Sequence, residues 1–128
     1  MNRRAFLFAG LAAPLLVSTA RAADPIRMIF ISGQDCSYCR MWHSKYENAW
    51  RASPEFREVT WTEIEPSHLR EAYQARHWPG DLRDILDRIP RKSGTPRFLI
   101  VRDGEIVSNE LGVNKWGPTL AHLHRLLG

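Results

Sequence analysis

The stretch IRMIFISGQDCSYC, residues 26–39, decides how the rest of this 128-residue chain is interpreted. Its first half is a nearly continuous apolar run, which is typical of a central β-strand covered on both faces. Gly33 then permits a tight turn, and the only two cysteines of the chain, Cys36 and Cys39, follow at the start of an amphipathic run. Cysteines three residues apart at a helix start lie on one side of its first turn, so they can form a disulfide or share a metal ion.

Residues 1–22 have the pattern of a secretory signal peptide. Arg3 and Arg4 form a basic start, residues 5–17 are apolar, and the Ala-Arg-Ala of residues 20–22 fits a cleavage site. The apolar stretch is shorter than the roughly 20 residues that span a bilayer, so we expect cleavage rather than an anchor. The basic pair also resembles a twin-arginine export signal, but Asn2 precedes it, so the general secretory route stays open.

Charge and composition limit the function of the mature chain, residues 23–128. Removal of residues 1–22 lowers the number of basic residues from 18 to 15, against 14 acidic ones. A nearly neutral domain of this length is expected to be a single globular unit that does not bind nucleic acid. Export would place both cysteines in an oxidising compartment such as a bacterial periplasm, where a disulfide persists and a reduced dithiol needs an electron source.

The pattern after the cysteines predicts an α/β domain. A helix over residues 40–50 and a β-branched, aromatic strand over residues 59–64 complete a right-handed βαβ unit with parallel strands. Further along, the periodicity predicts a helix over residues 66–77 and a short apolar-striped helix that stops at Pro90. A β-hairpin with the turn Asp103-Gly104 follows, and Pro118 lies in the first turn of a last helix.

Three features together resemble the thioredoxin superfamily: a Cys-x-x-Cys motif directly after a strand, a Thr-Pro step before a later strand, and a glycine after the hairpin. The resemblance covers roughly residues 25–128 and is greatest to small exported, periplasmic thioredoxin-like proteins. It implies a thioredoxin-like fold with about four strands in a mixed sheet flanked by helices. The residues that carry it are Cys36-Ser37-Tyr38-Cys39, Thr95-Pro96 and Gly112.

The chain also departs from that family. Asp35 replaces the aromatic residue that often precedes the first cysteine, and the dipeptide between the cysteines is Ser-Tyr. The N-terminal strand and helix of full thioredoxins are missing from the pattern. These departures leave the redox direction and the identity of the partner open.

The two cysteines are predicted to carry thiol–disulfide exchange. Cys36 is predicted to lie at the helix N-terminus, where unpaired backbone N–H groups and the helix dipole favour its thiolate. The thiolate is the attacking species in disulfide exchange. Cys39, one turn inward, is expected to be less accessible and to resolve the mixed disulfide on Cys36. No cofactor is expected, since the cysteine pair itself carries two electrons.

The resemblance also implies a substrate-binding surface beside the cysteines. Pro96 would be the family's cis-proline, Thr95 the residue whose backbone pairs with a substrate chain, and Gly112 a border of the same groove. Tyr38 is expected to be exposed and could touch a partner. The implied partners are a protein that carries a disulfide or a thiol and, for a reductase, a membrane thiol-electron carrier.

Two other interpretations use the same cysteines. A passive structural disulfide would close a loop of four residues, which constrains the unfolded chain little. A copper-handling or metallo-chaperone module could hold Cu(I) with the two thiolates, and His43, one helical turn after Cys39, could add a ligand. The chain has no second cysteine pair and no Cys-x-x-Met, so no metal site is expected.

A basic cluster lies around the Thr-Pro step. Its side chains could steer an acidic partner or favour the thiolate, or they could form a solvated basic loop. The cluster consists of Arg88, Arg91, Lys92 and Arg97.

Overall fold

The computed structural model describes residue 10 and residues 25–128. Except for residue 10, the predicted signal segment of residues 1–22 lies outside the described residues. The elements that follow are, in chain order, β1 (Ile26–Ile31), α1 (Ser37–Lys45), α2 (Glu47–Ala52), α3 (Pro54–Glu58), β2 (Val59–Ile64), α4 (Arg83–Arg88), β3 (Arg97–Arg102), β4 (Glu105–Leu111) and α5 (Trp116–Leu127).

The strands form one mixed sheet in the order β2-β1-β3-β4. Strands β1 and β2 are parallel, with Ile26 opposite Val59 and Ile31 opposite Ile64, whereas β3 runs antiparallel to both β1 and β4. Asp103 and Gly104 both have positive φ, 51° and 77°, as the two-residue hairpin turn requires. The predicted α/β class, a four-stranded mixed sheet flanked by helices, is confirmed.

The central strand β1 is covered on both faces, as its continuous apolar run predicts. Because side chains alternate along a strand, Met28 and Phe30 enter one hydrophobic cluster and Ile29 and Ile31 enter the other. The first cluster holds both cysteines and lies under α1 and α5, and the second packs against α4. The cysteine pair therefore sits on the aromatic side of the sheet. Neighbouring rings there have centroids 4.5 to 6.3 Å apart and belong to Phe30, Trp42, Trp50, Trp61, Phe98 and Trp116.

The helix predicted over residues 40–50 is two helices that meet at Tyr46. Tyr46 has φ −123° and ψ −25°, outside the helical region, although its N–H still donates to Trp42 at 2.8 Å. Beyond this kink Trp50 is buried and packs edge-on against Trp116, with ring centroids 5.2 Å apart. The kink thus lets α1 and α2 each contribute one tryptophan to the aromatic cluster.

The helix predicted over residues 66–77 is wrong. This segment forms only two 3-10 turns, Leu69–Glu71 and Ala75–His77. The N–H of Leu69 donates to the Asp35 carboxylate, and the carbonyl of Ala72 accepts from the indole of Trp78, both at 2.7 Å. Those tertiary hydrogen bonds use backbone groups that an α-helix would need for its own hydrogen bonds. The apolar periodicity of this segment is therefore not sufficient to predict a helix.

The last predicted helix is present as α5, which begins at Trp116 and so starts before Pro118. It packs its buried residues Trp116, Thr119 and Leu123 against the cysteine side of the sheet. In the described part of the chain, no helix combines the length and the apolar character that crossing a bilayer requires.

Candidate active site

The loop between β1 and α1 is held against the segment that follows β2. The backbone of Leu69 passes so close to Gly33 that a Cβ at residue 33 would lie 2.5 Å from the Cα of Leu69. The Leu69 N–H also donates to Asp35, and this bond holds the pKa of the Asp35 carboxyl below its usual value. Asp35 therefore has a hydrogen-bond partner, the Leu69 backbone, beside the cysteines.

Cys36 and Cys39 form a disulfide at the N-terminus of α1. Cys36 is the N-cap residue, and its sulfur accepts a hydrogen bond from the backbone N–H of Cys39 at 3.1 Å. The hydroxyl of Thr95 donates to the same sulfur at 3.2 Å. Two donors and a helix N-terminus therefore converge on Cys36, an arrangement that stabilises negative charge on that sulfur once the disulfide opens.

Both cysteines are almost completely shielded from solvent. Cys36 exposes 3% of its surface and Cys39 exposes 1%. The difference has the expected sign, but both residues are buried in the disulfide form.

The Thr95–Pro96 step lies directly beside the disulfide. Its peptide bond is cis, and Pro96 is fully buried. Gly112 has a φ of 108°, and its N–H donates to the Pro96 carbonyl at 2.8 Å. The structure thus brings together Cys36, Cys39, Thr95 and Pro96, and the predicted border residue Gly112 is hydrogen-bonded to Pro96.

Exposed apolar side chains lie at the same end of the molecule. Tyr38, between the two cysteines, is 59% exposed, as predicted, and Met41 follows one turn later. Leu69 adjoins Gly33, and Leu111 adjoins Gly94, whose added Cβ would lie 3.0 Å from the Leu111 side chain. These side chains offer apolar contact area around a site whose sulfurs are nearly covered.

The predicted basic cluster is not one surface. Arg88 lies at the hairpin turn, where its guanidinium is 3.4 Å from the Glu105 carboxylate. Arg97 is only 6% exposed and cannot meet a partner, whereas Arg88, Arg91 and Lys92 are exposed. Strand alternation could have identified Arg97 as buried, because it shares a face of β3 with the buried residues Leu99 and Val101.

The metal-binding interpretation named His43 as a candidate ligand in addition to the two cysteines. His43 Nδ1 lies 2.7 Å from Oε2 of Glu47, so this imidazole is engaged by a carboxylate rather than by the cysteines. In the described part of the chain, no three or more His, Cys, Asp or Glu side chains are grouped so that they could hold a metal ion.

The chain has a thioredoxin-like fold with a Cys-x-x-Cys disulfide at a helix N-terminus. A thioredoxin from Malassezia sympodialis superimposes with a TM-score of 0.56 at 12% identity, over 81% of this chain and 76% of that one. Thioredoxin f from spinach chloroplast gives 0.54 at 16% identity, over 83% and 80%. The reduced periplasmic thioredoxin SoxS from Paracoccus pantotrophus gives 0.51 at 16% identity, over 77% and 94%. No protein-family model and no curated protein sequence matches the chain.

Proposed function

We propose that this protein is a thiol–disulfide oxidoreductase that reduces disulfides in a partner protein. The observation that carries the proposal is the Cys36–Cys39 pair at the start of α1, with the Thr95 hydroxyl on the Cys36 sulfur. A passive disulfide that closes four residues adds little stability, whereas a sulfur that receives two hydrogen bonds is suited to carry a negative charge.

The reaction requires two exchange steps. The Cys36 thiolate attacks one sulfur of the partner disulfide, a mixed disulfide forms, and the partner's other sulfur leaves as a thiolate that takes up a proton. Cys39 then loses its proton and attacks the Cys36 sulfur. This second step forms the Cys36–Cys39 disulfide and releases the partner's second thiolate. Over both steps the partner gains two electrons from the cysteine pair. It also takes up two protons from solvent, which balance the one that Cys36 released on ionising and the one that Cys39 loses.

The substrate-side surface is assigned to residues that line the approach to Cys36. The backbone of Thr95, next to Pro96, would pair with an extended segment of the partner, and Gly112 would border it. Tyr38 would cover the apolar residues that flank the partner's cysteine, since it is exposed between the two cysteines.

Location and electron supply follow from the predicted export signal. We place the mature protein, residues 23–128, in the periplasm, where a membrane thiol-electron carrier would return two electrons to the oxidised pair. The periplasmic location of SoxS, a structural neighbour, is compatible with this placement. N-terminal sequencing of the protein recovered from its own compartment should begin at Ala23, and a chain that still carries residues 1–22 would contradict cleavage.

The activity is tested by catalysed reduction of a protein disulfide with dithiothreitol as the electron donor. We expect turnover by the wild-type protein, none by Cys36→Ser, and a stalled mixed disulfide with Cys39→Ser. Wild-type turnover equal to the uncatalysed rate would refute the proposal. The reduction potential then tests the direction: a value near that of thioredoxin, about −270 mV, fits a reductase, and one near −120 mV indicates an oxidant.

A further inference from the structure

The loop before Thr95 has a backbone that needs support from outside. Arg91, although not a glycine, has a φ of 52°, and Gly94 has a φ of 84°. A non-glycine residue in this region is disfavoured and persists only where neighbouring groups determine the conformation. Residues 91–94 also adjoin Thr95, so the conformation of this loop affects where the Thr95 hydroxyl lies.

Two side chains, which we call the Tyr73–Arg97 pair, bind the carbonyls of this loop. Arg97 donates to the carbonyls of Arg91 and Ser93 at 3.0 and 2.9 Å. The Tyr73 hydroxyl donates to the carbonyl of Gly94 at 2.7 Å and accepts from Arg97 Nε at 2.7 Å. Three of the four carbonyls immediately before Thr95 are therefore held by one connected pair.

The Tyr73–Arg97 pair is held in place by a hydrogen bond to β4 and by the burial of Arg97. Arg97 Nη1 donates to the Asn109 side chain at 2.6 Å, and the guanidinium lies 5.7 Å from the centre of the Tyr73 ring. In residues 25–128, the hydrogen-bond partners of this buried guanidinium are neutral oxygens rather than a carboxylate. A buried cation without an anionic partner is costly, so its presence here calls for an explanation beyond packing.

We propose that Tyr73 and Arg97 are positioning residues that hold the loop of residues 91–94 so that the Thr95 hydroxyl lies on the Cys36 sulfur. The inference rests on the proposed function, since it assigns these residues to the same exchange site. The pair acts on the face of the sheet opposite the cysteines, and its effect reaches Cys36 through the backbone from Gly94 to Thr95. Neither side chain contacts the reacting sulfurs.

The test is the pH dependence of iodoacetamide alkylation of Cys36 in the reduced protein, with the modified residue identified by peptide mapping. We expect Tyr73→Phe to raise the midpoint of the profile by about half a pH unit, as part of what a hydrogen bond to a charged sulfur contributes. In a Thr95→Val background the same substitution should cause no further shift, because the hydroxyl that it displaces is already absent.

Arg97 variants separate positioning from a charge effect. Arg97→Lys keeps the charge but lacks the planar fork that binds two carbonyls, so we expect it to shift the midpoint as Tyr73→Phe does. Arg102→Met, an exposed arginine at the other end of the same strand, is the matched control and should leave the profile unchanged. If Arg97→Lys does not fold, Tyr73→Phe decides the question, since it removes a single oxygen atom.

Three results would overturn the inference: a Tyr73→Phe profile that coincides with wild type, a shift of the same size with and without the Thr95 hydroxyl, or a wild-type profile for Arg97→Lys. The alkylation measurement needs no partner protein. Failure of the wild type to catalyse exchange would therefore count against the proposed function alone, while an unchanged alkylation profile in an active enzyme would count against the Tyr73–Arg97 pair alone.

Discussion

At the scale of single residues, the Thr95 hydroxyl is the one side-chain group outside the cysteine motif that donates to the Cys36 sulfur in the described part of the chain, at 3.2 Å. Thr95→Val keeps the shape of the side chain and removes this donor. A hydrogen bond to a charged group contributes about 1.5–3 kcal/mol, so we expect the alkylation midpoint of Cys36 to rise by about one to two pH units. Thr95→Ser, which retains the hydroxyl, should keep the wild-type midpoint. Equal profiles for the Val and Ser variants would show that the hydroxyl has no such effect.

Tyr73 makes a second residue-level prediction, on stability at alkaline pH. Burial raises the pKa of the Tyr73 phenol above its usual value of 10.0, against the lowering effect of Arg97. A group whose folded-state pKa is raised contributes stability below its unfolded pKa and loses that contribution as the pH rises through the folded value. We therefore expect the wild-type free energy of unfolding to fall above pH 10 more steeply than that of Tyr73→Phe, as measured by urea unfolding between pH 9 and 11. Parallel curves would contradict this assignment.

At the scale of elements, the close contact between the cysteine loop and the segment after β2 makes Gly33 sensitive to substitution. A Cβ there would lie 2.5 Å from Leu69 Cα, so the backbone must move, and we expect Gly33→Ala to cost about 1–3 kcal/mol of stability in urea unfolding. Gly117 in α5 is the matched control. An added Cβ there meets no atom within 4 Å, and Gly117→Ala should stabilise the protein by about 0.5–1 kcal/mol. A neutral Gly33→Ala would mean that the two segments are not held together.

Elements with strong local signals were predictable from the sequence. The strands β1, β2 and β3 follow from β-branched and apolar runs, and the hairpin that adds β4 follows from Asp103-Gly104. The segment of residues 66–77 was not predictable, since its backbone groups are taken by Asp35 and Trp78 rather than by a helical ladder. Local periodicity does not show which tertiary hydrogen bonds will compete for the backbone groups. The apolar stripe of residues 66–77 therefore predicted a helix that the structure does not contain.

The candidate site, too, was predictable from local sequence patterns but not in its tertiary contacts. The cysteine motif and the Thr-Pro step were recognisable because each is a short local pattern, and the fold then brings them together. The Tyr73–Arg97 pair was missed, because its members are 24 residues apart and Arg97 looked like part of a solvated basic loop. The sequence signal that Arg97 points inward was its position on the same face of β3 as Leu99 and Val101.

At the scale of the whole molecule, the residues that the proposed exchange requires lie together at one end of the sheet. The disulfide at the start of α1, the cis step before β3 and the glycine after β4 come from three separate parts of the chain. Exposed apolar side chains surround sulfurs that are nearly covered, so a partner is expected to approach Cys36 alone. Attack by one defined sulfur, with the other held beneath it, is the central claim.

The most direct test is to mix reduced Cys39→Ser protein with a partner protein that carries a single disulfide and to map the covalent product by mass spectrometry. We predict a stoichiometric mixed disulfide on Cys36, formed faster as the pH rises through the range in which its thiol ionises, and no adduct with Cys36→Ser under the same conditions. A covalent product of equal yield on Cys39 of the Cys36→Ser protein, or no product with either variant, would contradict the account.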